Sequence, residues 1–175
     1  MQIPQNIVHR QEYAEELFGS FDTSKNLVLQ RGLFDAYDEG FESWIIMKDA
    51  YFWSARFQAL IHAPAGFITD FASIPRLARP LFTGHGKTRY PAIPHDVLYS
   101  YKRTGLCEDF SRKEMDLILK DFCVAKNMTN LATEAVYRAV RIGGGFALRD
   151  KKYLSFATPD VFQKYLGYHP ELSVA

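Results

Sequence analysis

The chain has 175 residues, of which 47% are hydrophobic and 15% aromatic, and its formal net charge is +1. A chain of this length and composition can bury its own core, which argues against disorder. A dedicated nucleic-acid binder usually carries a basic excess, and the 21 basic and 20 acidic residues provide almost none. We therefore expect one domain over residues 1–175 that does not bind nucleic acid.

The sequence offers no sign of export or membrane insertion. A secreted scaffold held by disulfides needs more than the two cysteines present, Cys107 and Cys123, so both are expected to be free thiols. Residues 1–7 lack the basic and apolar regions of a signal peptide. No apolar run approaches the ~18–20 residues that a membrane span requires. The sequence predicts a soluble protein that is made in the cytoplasm.

The first half of the chain reads as one short helix followed by strands. Residues 9–18 have the spacing of an amphipathic helix, and strands are predicted at 26–33, 43–48 and 67–69. The clearest period-two alternation runs through residues 51–62. It predicts a single half-buried antiparallel strand over that range.

The second half changes to helical periodicity. Pro94 suits the first turn of a helix over residues 95–102, and Gly105 breaks it. Ser111 and Glu114 have the spacing of a capping box, in which each side chain bonds the other residue's backbone amide. An apolar stripe follows, so a second helix is predicted to start there.

Two further helices complete the prediction. Thr129 is expected to cap the first, and residues 143–145, all glycine, are expected to end it. Thr158 is expected to cap the last, over residues 159–166. The first of these helices has a face of small residues: Ala132, Ala135, Val136, Ala139 and Val140.

These elements predict an α+β domain, with an N-terminal antiparallel β-sheet followed by a small bundle of three to four helices. Within it we distinguish an N-terminal helix and strands over residues 1–62, a motif-bearing core over 63–146, and a C-terminal extension over 147–175. The sequence contains no internal repeat and no low-complexity linker.

The residues with the clearest chemical potential are His95, Asp96, Tyr99 and Asp116. Four residues separate His95 from Tyr99, so a helix places both on one face. A carboxylate such as Asp116, if it reaches one imidazole nitrogen, fixes the tautomer and leaves the other nitrogen to deprotonate water. The alternative is that His95 is a satisfied core residue and that Asp116 is either a solvated helix position or a structural partner for an arginine.

A second candidate group follows the predicted strand at residues 67–69. Asp70 and Ser73 either project oxygens toward the same site or cap a turn through backbone amides. The other histidines and the two cysteines lack the spacing of metal ligands.

Several separate motifs in this order resemble a family of bacteriophage and prophage proteins that is catalogued as a domain of unknown function. They are the segment 66–75 (GFITDFASIP), His95-Asp96 with Tyr99, Ser111-Arg112 with Asp116, and Tyr137 with Val140, Arg141 and Gly143. The resemblance spans roughly residues 64–145. It implies a phage origin and supplies no activity.

The His-Asp-x-x-Tyr motif with a later aspartate also resembles secreted phospholipases of the A-two class and the parvovirus capsid lipase domain. That resemblance implies that His95 is the general base, Asp96 a calcium ligand, Asp116 the acid that orients the histidine and Tyr99 a supporting hydroxyl. Asp70 is the second expected calcium ligand. The glycine-rich calcium loop and the framework disulfides of those enzymes are missing from this sequence.

Two functions follow as expectations. The first is a virion-associated structural protein of the phage tail or baseplate, made in the host cytoplasm, that contacts other virion proteins or further copies of itself. The second is a phage-encoded hydrolase, phospholipase-like or cell-wall-degrading, that uses the His95 and Asp116 pair during infection or lysis. The only cofactor that either function suggests is a divalent cation such as calcium.

Overall fold

A computed structural model of the chain describes residues 3–31, 34–38, 43–69, 89–147 and 156–167. These residues form seven strands and five helices. In chain order the elements are β1 Val8–His9, α1 Gln11–Phe18, β2 Leu27–Gln30, β3 Phe34–Asp38, β4 Ser43–Ile46, β5 Ala50–Ser54, β6 Ala59–Ala63, β7 Ile68–Thr69, α2 Arg89–Arg103, α3 Arg112–Ala125, α4 Asn130–Ala147 and α5 Pro159–Leu166.

The described strands belong to two antiparallel sheets. One has the order β1-β6-β5-β2 and the other the order β3-β4-β7. With α2 to α5 following in the second half, the α+β prediction is confirmed, as are α1 and the strands β2, β4 and β7. Strands β1 and β3 were not predicted: β1 has only two residues.

The single strand predicted over residues 51–62 is wrong, because the chain folds there into a hairpin of β5 and β6. Ser54 pairs with Ala59, and Gln58 adopts a positive φ of 48° in the turn between them. The side-chain amide of Gln58 donates to the carbonyl of Ala55 at 2.6 Å and satisfies a backbone group of the turn. The polar–apolar alternation continues through the turn, so periodicity alone did not reveal it.

Helix α2 begins at Arg89 and not at the predicted residue 95. Pro94 therefore lies inside the helix, where it has no N–H to donate to the preceding turn. The helical residues before Pro94 include Ala92 and Ile93, which are buried in the core. Their burial offsets the hydrogen bond that Pro94 cannot make. Gly105, with a φ of 76°, follows the helix end as expected.

The start of α3 matches the prediction. The hydroxyl of Ser111 accepts from the amide of Glu114 at 3.4 Å, and the carboxylate of Glu114 accepts from the amide of Ser111 at 2.7 Å. Both halves of the capping box are therefore present. The box fixes where α3 begins. Asp116 is the fifth residue of this helix.

Helix α4 differs from its prediction at its end and on its buried face. It continues through the three glycines to Ala147, so they do not end it. Val136 and Val140 are buried against α3, whereas Ala135 is exposed. The contact with α3 therefore relies on the valines, and the expected face of small residues is only partly buried. The hydroxyl of Thr129 accepts from the amide of Ala132 at 3.3 Å, as a cap should.

The main core lies between the sheet that contains β5 and β6 and the helices α2 and α3. Phe52 of β5 meets Phe122 of α3 edge to face, with ring centroids 5.6 Å apart. The last helix, α5, packs against β4 and is capped by Thr158 as predicted. Among the described residues, no helix is both long and apolar enough to cross a membrane.

Candidate functional site

The site lies where α2, α3, α4 and β7 converge. Tyr99 is the fifth residue from the end of α2, and Asp116 is the fifth residue of α3, so the two are equally far from the loop that joins the helices. His95 lies one turn before Tyr99 on the same face of α2. This register brings both side chains to Asp116.

Asp116 accepts three side-chain hydrogen bonds in a fully buried position. Its Oδ1 atom accepts from Nε2 of His95 at 2.9 Å and from the hydroxyl of Tyr99 at 2.6 Å. Its Oδ2 atom accepts from Nη1 of Arg141, on α4, at 2.7 Å. We call His95, Tyr99, Asp116 and Arg141 the helix cluster.

The cluster shifts the pKa values of its acid and its base in opposite directions. Burial opposes the ionised form of Asp116, but the bonds from His95 and Tyr99 outweigh burial and lower its pKa. Burial also opposes the imidazolium form of His95, but Asp116 and Asp96 outweigh it and raise the pKa of the ring. Asp116 is therefore the ionised acceptor, and Nε2 of His95 carries the proton that it accepts.

Tyr99 and Arg141 remain donors over the whole physiological range. Burial, followed by the bond to Asp116, raises the pKa of the Tyr99 hydroxyl far above its usual value of 10.0. The bond to Asp116 raises the pKa of the Arg141 guanidinium, which is charged at any ordinary pH. Neither group competes with His95 for a proton.

The second nitrogen of His95 has no hydrogen-bond partner among the described residues. This atom, Nδ1, is buried and lies 3.9 Å from Oδ1 of Asp96, which likewise lacks a partner there. The other oxygen of Asp96, Oδ2, accepts from the hydroxyl of Thr69 on β7 at 2.5 Å. Two buried polar atoms therefore lie close together without a hydrogen bond between them.

The described surroundings of Asp96 do not fit the calcium site that the phospholipase resemblance implies. Calcium takes about six to eight oxygen ligands. Over the described ranges, no three histidine, cysteine, aspartate or glutamate side chains gather where they could hold a metal ion. Asp70 and Ser73 lie outside the described residues, so the expectations placed on them stay predictions.

Two further features of the described residues are not part of this cluster. Cys107 and Cys123 are buried free thiols. An open groove of about 810 Å³ lies beside β1 and the start of α1, with His9, Tyr13 and Phe57 among its lining residues. No member of the helix cluster lines this groove.

The spacing of the motif predicted the contacts of His95, Tyr99 and Asp116, but not the roles of Arg141 and Thr69. An arginine partner for Asp116 was one expectation, but nothing in the YRAVR motif distinguished Arg141 from Arg138. Thr69 ends the predicted strand before Asp70, and nothing in its spacing indicated a partner on α2.

Comparison with known proteins identifies a family without an established activity. The family described as "Protein of unknown function (DUF1353)" matches residues 44–140, which is more than half of the chain. The matched region contains nearly all of β4, then β5 to β7, α2, α3 and the first part of α4. It begins before the expected residue 64 and ends before the expected residue 145, so Arg141 and Gly143 lie outside it. No curated protein and no solved structure matches the chain. The chain belongs to the DUF1353 family.

Proposed function

We propose that the protein is a hydrolase in which His95 acts as general base on water. One observation carries the proposal: Asp116 binds Nε2 of His95 and leaves Nδ1 without a protein partner among the described residues. A base oriented in this way by a carboxylate is the arrangement that general-base catalysis requires.

The reaction that these groups support is the hydrolysis of an ester or amide. Nδ1 of His95 removes a proton from a water molecule as the water oxygen adds to the substrate carbonyl. The resulting imidazolium is stabilised by Asp116, to which Nε2 still donates. When the tetrahedral intermediate collapses, the bond to the leaving group breaks and the imidazolium returns its proton to that group. Protons and electron pairs balance without a metal or redox partner.

Asp96 supplies a second contact for the attacking water. Its Oδ1 atom has no partner among the described residues and lies 3.9 Å from Nδ1 of His95, so a water that enters when the site opens can contact both atoms. The bond from Thr69 to Oδ2 fixes the rotation of this carboxylate. The pair therefore restrains the nucleophile on one side of the ring.

The burial of His95 adds a requirement for access. The ring has no exposed surface, so a substrate carbonyl reaches Nδ1 only after the site opens. Hydrolysis is therefore expected to be faster with a substrate that induces opening, such as a lipid surface, than with a small soluble ester. This comparison separates the proposal from adventitious hydrolysis by surface groups.

The test is a hydrolysis assay on a defined panel: phospholipid vesicles, p-nitrophenyl esters and purified peptidoglycan. The wild-type chain is expected to cleave at least one of them. On that substrate, His95→Ala and Asp116→Asn are each expected to lower the rate by about 10²–10⁴-fold, the usual contribution of general-base catalysis. His9→Ala, at a histidine outside the cluster, serves as the control and should retain the wild-type rate.

Either of two results contradicts the proposal. The first is a wild-type chain that cleaves nothing in the panel. The second is a His95→Ala chain that folds and cleaves at the wild-type rate. In both cases the helix cluster is a structural network that joins three helices.

A second candidate function, a structural protein of the phage virion, is supported by the outer face of α4. Leu131 and Ile142 are 84% and 79% exposed, and their spacing places them on the same side of the helix as Ala135. Large apolar side chains at such exposure are typical anchors of protein contacts. We propose that this face contacts another virion protein of the tail or baseplate.

The virion proposal is tested by mass spectrometry of purified phage particles together with an assembly assay. The protein is expected in the particles, and Leu131→Glu with Ile142→Glu is expected to prevent its incorporation. Leu17→Glu, at an exposed leucine on α1, is the matched control and should be incorporated normally. Finding the chain only as a free monomer, absent from particles, contradicts this role.

A further inference from the structure

Arg141 is the member of the helix cluster that reaches the surface. Its side chain is 31% exposed, whereas those of His95 and Asp116 are fully buried. From α4 it donates through Nη1 to Oδ2 of Asp116 at 2.7 Å. It therefore contacts the carboxylate oxygen that His95 and Tyr99 leave unused.

Charge balance explains why a buried carboxylate needs this contact. With His95 neutral, the His95–Asp116 pair carries one negative charge in a fully buried position. An isolated buried carboxylate is unfavourable and tends to take up a proton or turn toward water. Arg141 supplies the compensating positive charge and cannot lose its proton at ordinary pH.

The backbone of Arg141 is held in place independently of its guanidinium. The carbonyl oxygen of Arg141 accepts from Nη2 of Arg112, in the first turn of α3, at 3.1 Å. Val136 and Val140 pack against α3 on the same stretch of α4. The guanidinium therefore projects from a fixed base on α4 toward Asp116 on α3.

We propose that Arg141 is a positioning residue for the hydrolysis proposed above: by holding Oδ2 of Asp116, it turns Oδ1 toward Nε2 of His95. The inference rests on that proposed function. Arg141 touches neither the attacking water nor Nδ1 of His95, and it acts on the base through Asp116. The consequence is a single tautomer, with the proton on Nε2 and the lone pair on Nδ1.

The experiment reads the proton position of His95 by two-dimensional NMR on the full chain labelled with ¹⁵N-histidine. Spectra are recorded in alkaline solution, where the ring is neutral, and the His95 signals are assigned by their loss in His95→Gln. The variants are Arg141→Met and Arg141→Gln, which remove the charge, and Arg141→Lys, which retains it. Arg138→Met is the matched control, one turn earlier on α4 at a surface ion pair with Glu134.

In the wild type and in Arg138→Met, the His95 proton is expected on Nε2 alone. In Arg141→Met, a share of the proton is expected to move to Nδ1, and kcat on the cleaved substrate should fall about tenfold with little change in KM. In Arg141→Lys, both the proton position and kcat should lie between those of Arg141→Met and the wild type. If Arg141→Met does not fold, Arg141→Gln is expected to give the same result.

A folded Arg141→Met or Arg141→Gln chain with the wild-type proton position overturns the inference. The NMR readout needs no substrate, so the two proposals fail separately. A tautomer change in a chain that hydrolyses nothing refutes the hydrolase and leaves only a structural contact. If the wild type hydrolyses a substrate but the proton position of His95 is unchanged in the Arg141 variants, only the positioning role is refuted.

Discussion

The helix cluster and a second histidine–aspartate–tyrosine group use the same residue types in different surroundings. The second group, which we call the strand cluster, consists of His62, Asp49 and Tyr51. Nε2 of His62 lies 3.3 Å from Oδ2 of Asp49, and the ring of Tyr51 stacks on the imidazole with centroids 4.5 Å apart.

The two clusters differ in how their carboxylates are surrounded. The side chain of Asp49 is 39% exposed, and its Oδ1 atom accepts from the backbone amide of Ala65 at 2.6 Å. Asp116 has no exposed surface and accepts three side-chain bonds from three residues. Water can replace a lost partner at Asp49, but not readily at Asp116.

This difference teaches that residue identity and proximity do not define a site. A pair whose carboxylate is partly exposed exchanges contacts with solvent, so its geometry is weakly constrained. A buried carboxylate with its bonds filled holds its imidazole in one orientation. Matched substitutions in the two clusters therefore separate the effect of burial from that of residue identity.

The largest expected effect on stability is that of Asp116→Ala. Removing the carboxylate leaves the buried His95 and Tyr99 without their acceptor and Arg141 without its counter-ion, which costs about 3–5 kcal/mol of the free energy of unfolding. Asp49→Ala, at a partly exposed ion pair, is expected to cost below about 1 kcal/mol. Urea unfolding of both variants measures the two values. Equal losses would show that burial does not separate the clusters.

A smaller effect is expected when only one hydroxyl is removed. Tyr99→Phe deletes a donor to the ionised Asp116 and keeps the ring, so it should lower the free energy of unfolding by about 1.5–3 kcal/mol. Tyr51→Phe keeps the stacked ring of the strand cluster and is expected to cost below about 1 kcal/mol. Thermal and urea unfolding of the two variants and the wild type measure these losses in the free energy of unfolding. A larger loss in Tyr51→Phe would contradict the comparison.

The smallest effect is on the pH dependence of stability. The pKa of His95 is raised, so its contribution is full below 6.5 and is lost as pH rises through the folded value. The pKa values of Asp116 and Asp49 are both lowered, so contributions from both clusters are present above 3.8 and lost as pH falls. The decline in the free energy of unfolding as pH rises above 6.5 is therefore the part of the pH dependence that reports on His95 of the helix cluster.

Urea unfolding at a series of pH values tests this expectation. The wild-type free energy of unfolding should decline as pH rises above 6.5, and His95→Gln should decline less steeply. Parallel slopes for the two chains would mean that His95 has the same pKa in the folded and unfolded states.

The sequence predicted that His95 and Tyr99 share one helix face because that determinant is local, whereas their contact with Asp116 was a hypothesis that depended on how the two helices pack. His95 and Tyr99 are four residues apart on one helix, and the capping box at Ser111 fixes where α3 begins. These two registers place Asp116 opposite Tyr99. An arginine partner for Asp116 was among the alternatives, but Arg141 itself was not identified, because its contact depends on how α4 packs against α3, which no local pattern encodes.

The errors in the fold prediction have similar causes. Pro94 was assigned to a helix start on its local preference, but burial of Ala92 and Ile93 extends α2 past it. The turn after Ser54 was missed because the alternation of polar and apolar residues continues through it. In both cases tertiary packing outweighed the local signal.

The central claim is that His95 acts as a general base and that the chemically similar His62 does not. Its most direct test is the rate of substrate hydrolysis by His95→Gln and His62→Gln, each compared with the wild type on a substrate that the wild type cleaves. We expect His95→Gln to lose at least about 10²-fold in rate and His62→Gln to keep the wild-type rate. Equal rates in all three chains, or a loss confined to His62→Gln, would contradict the account.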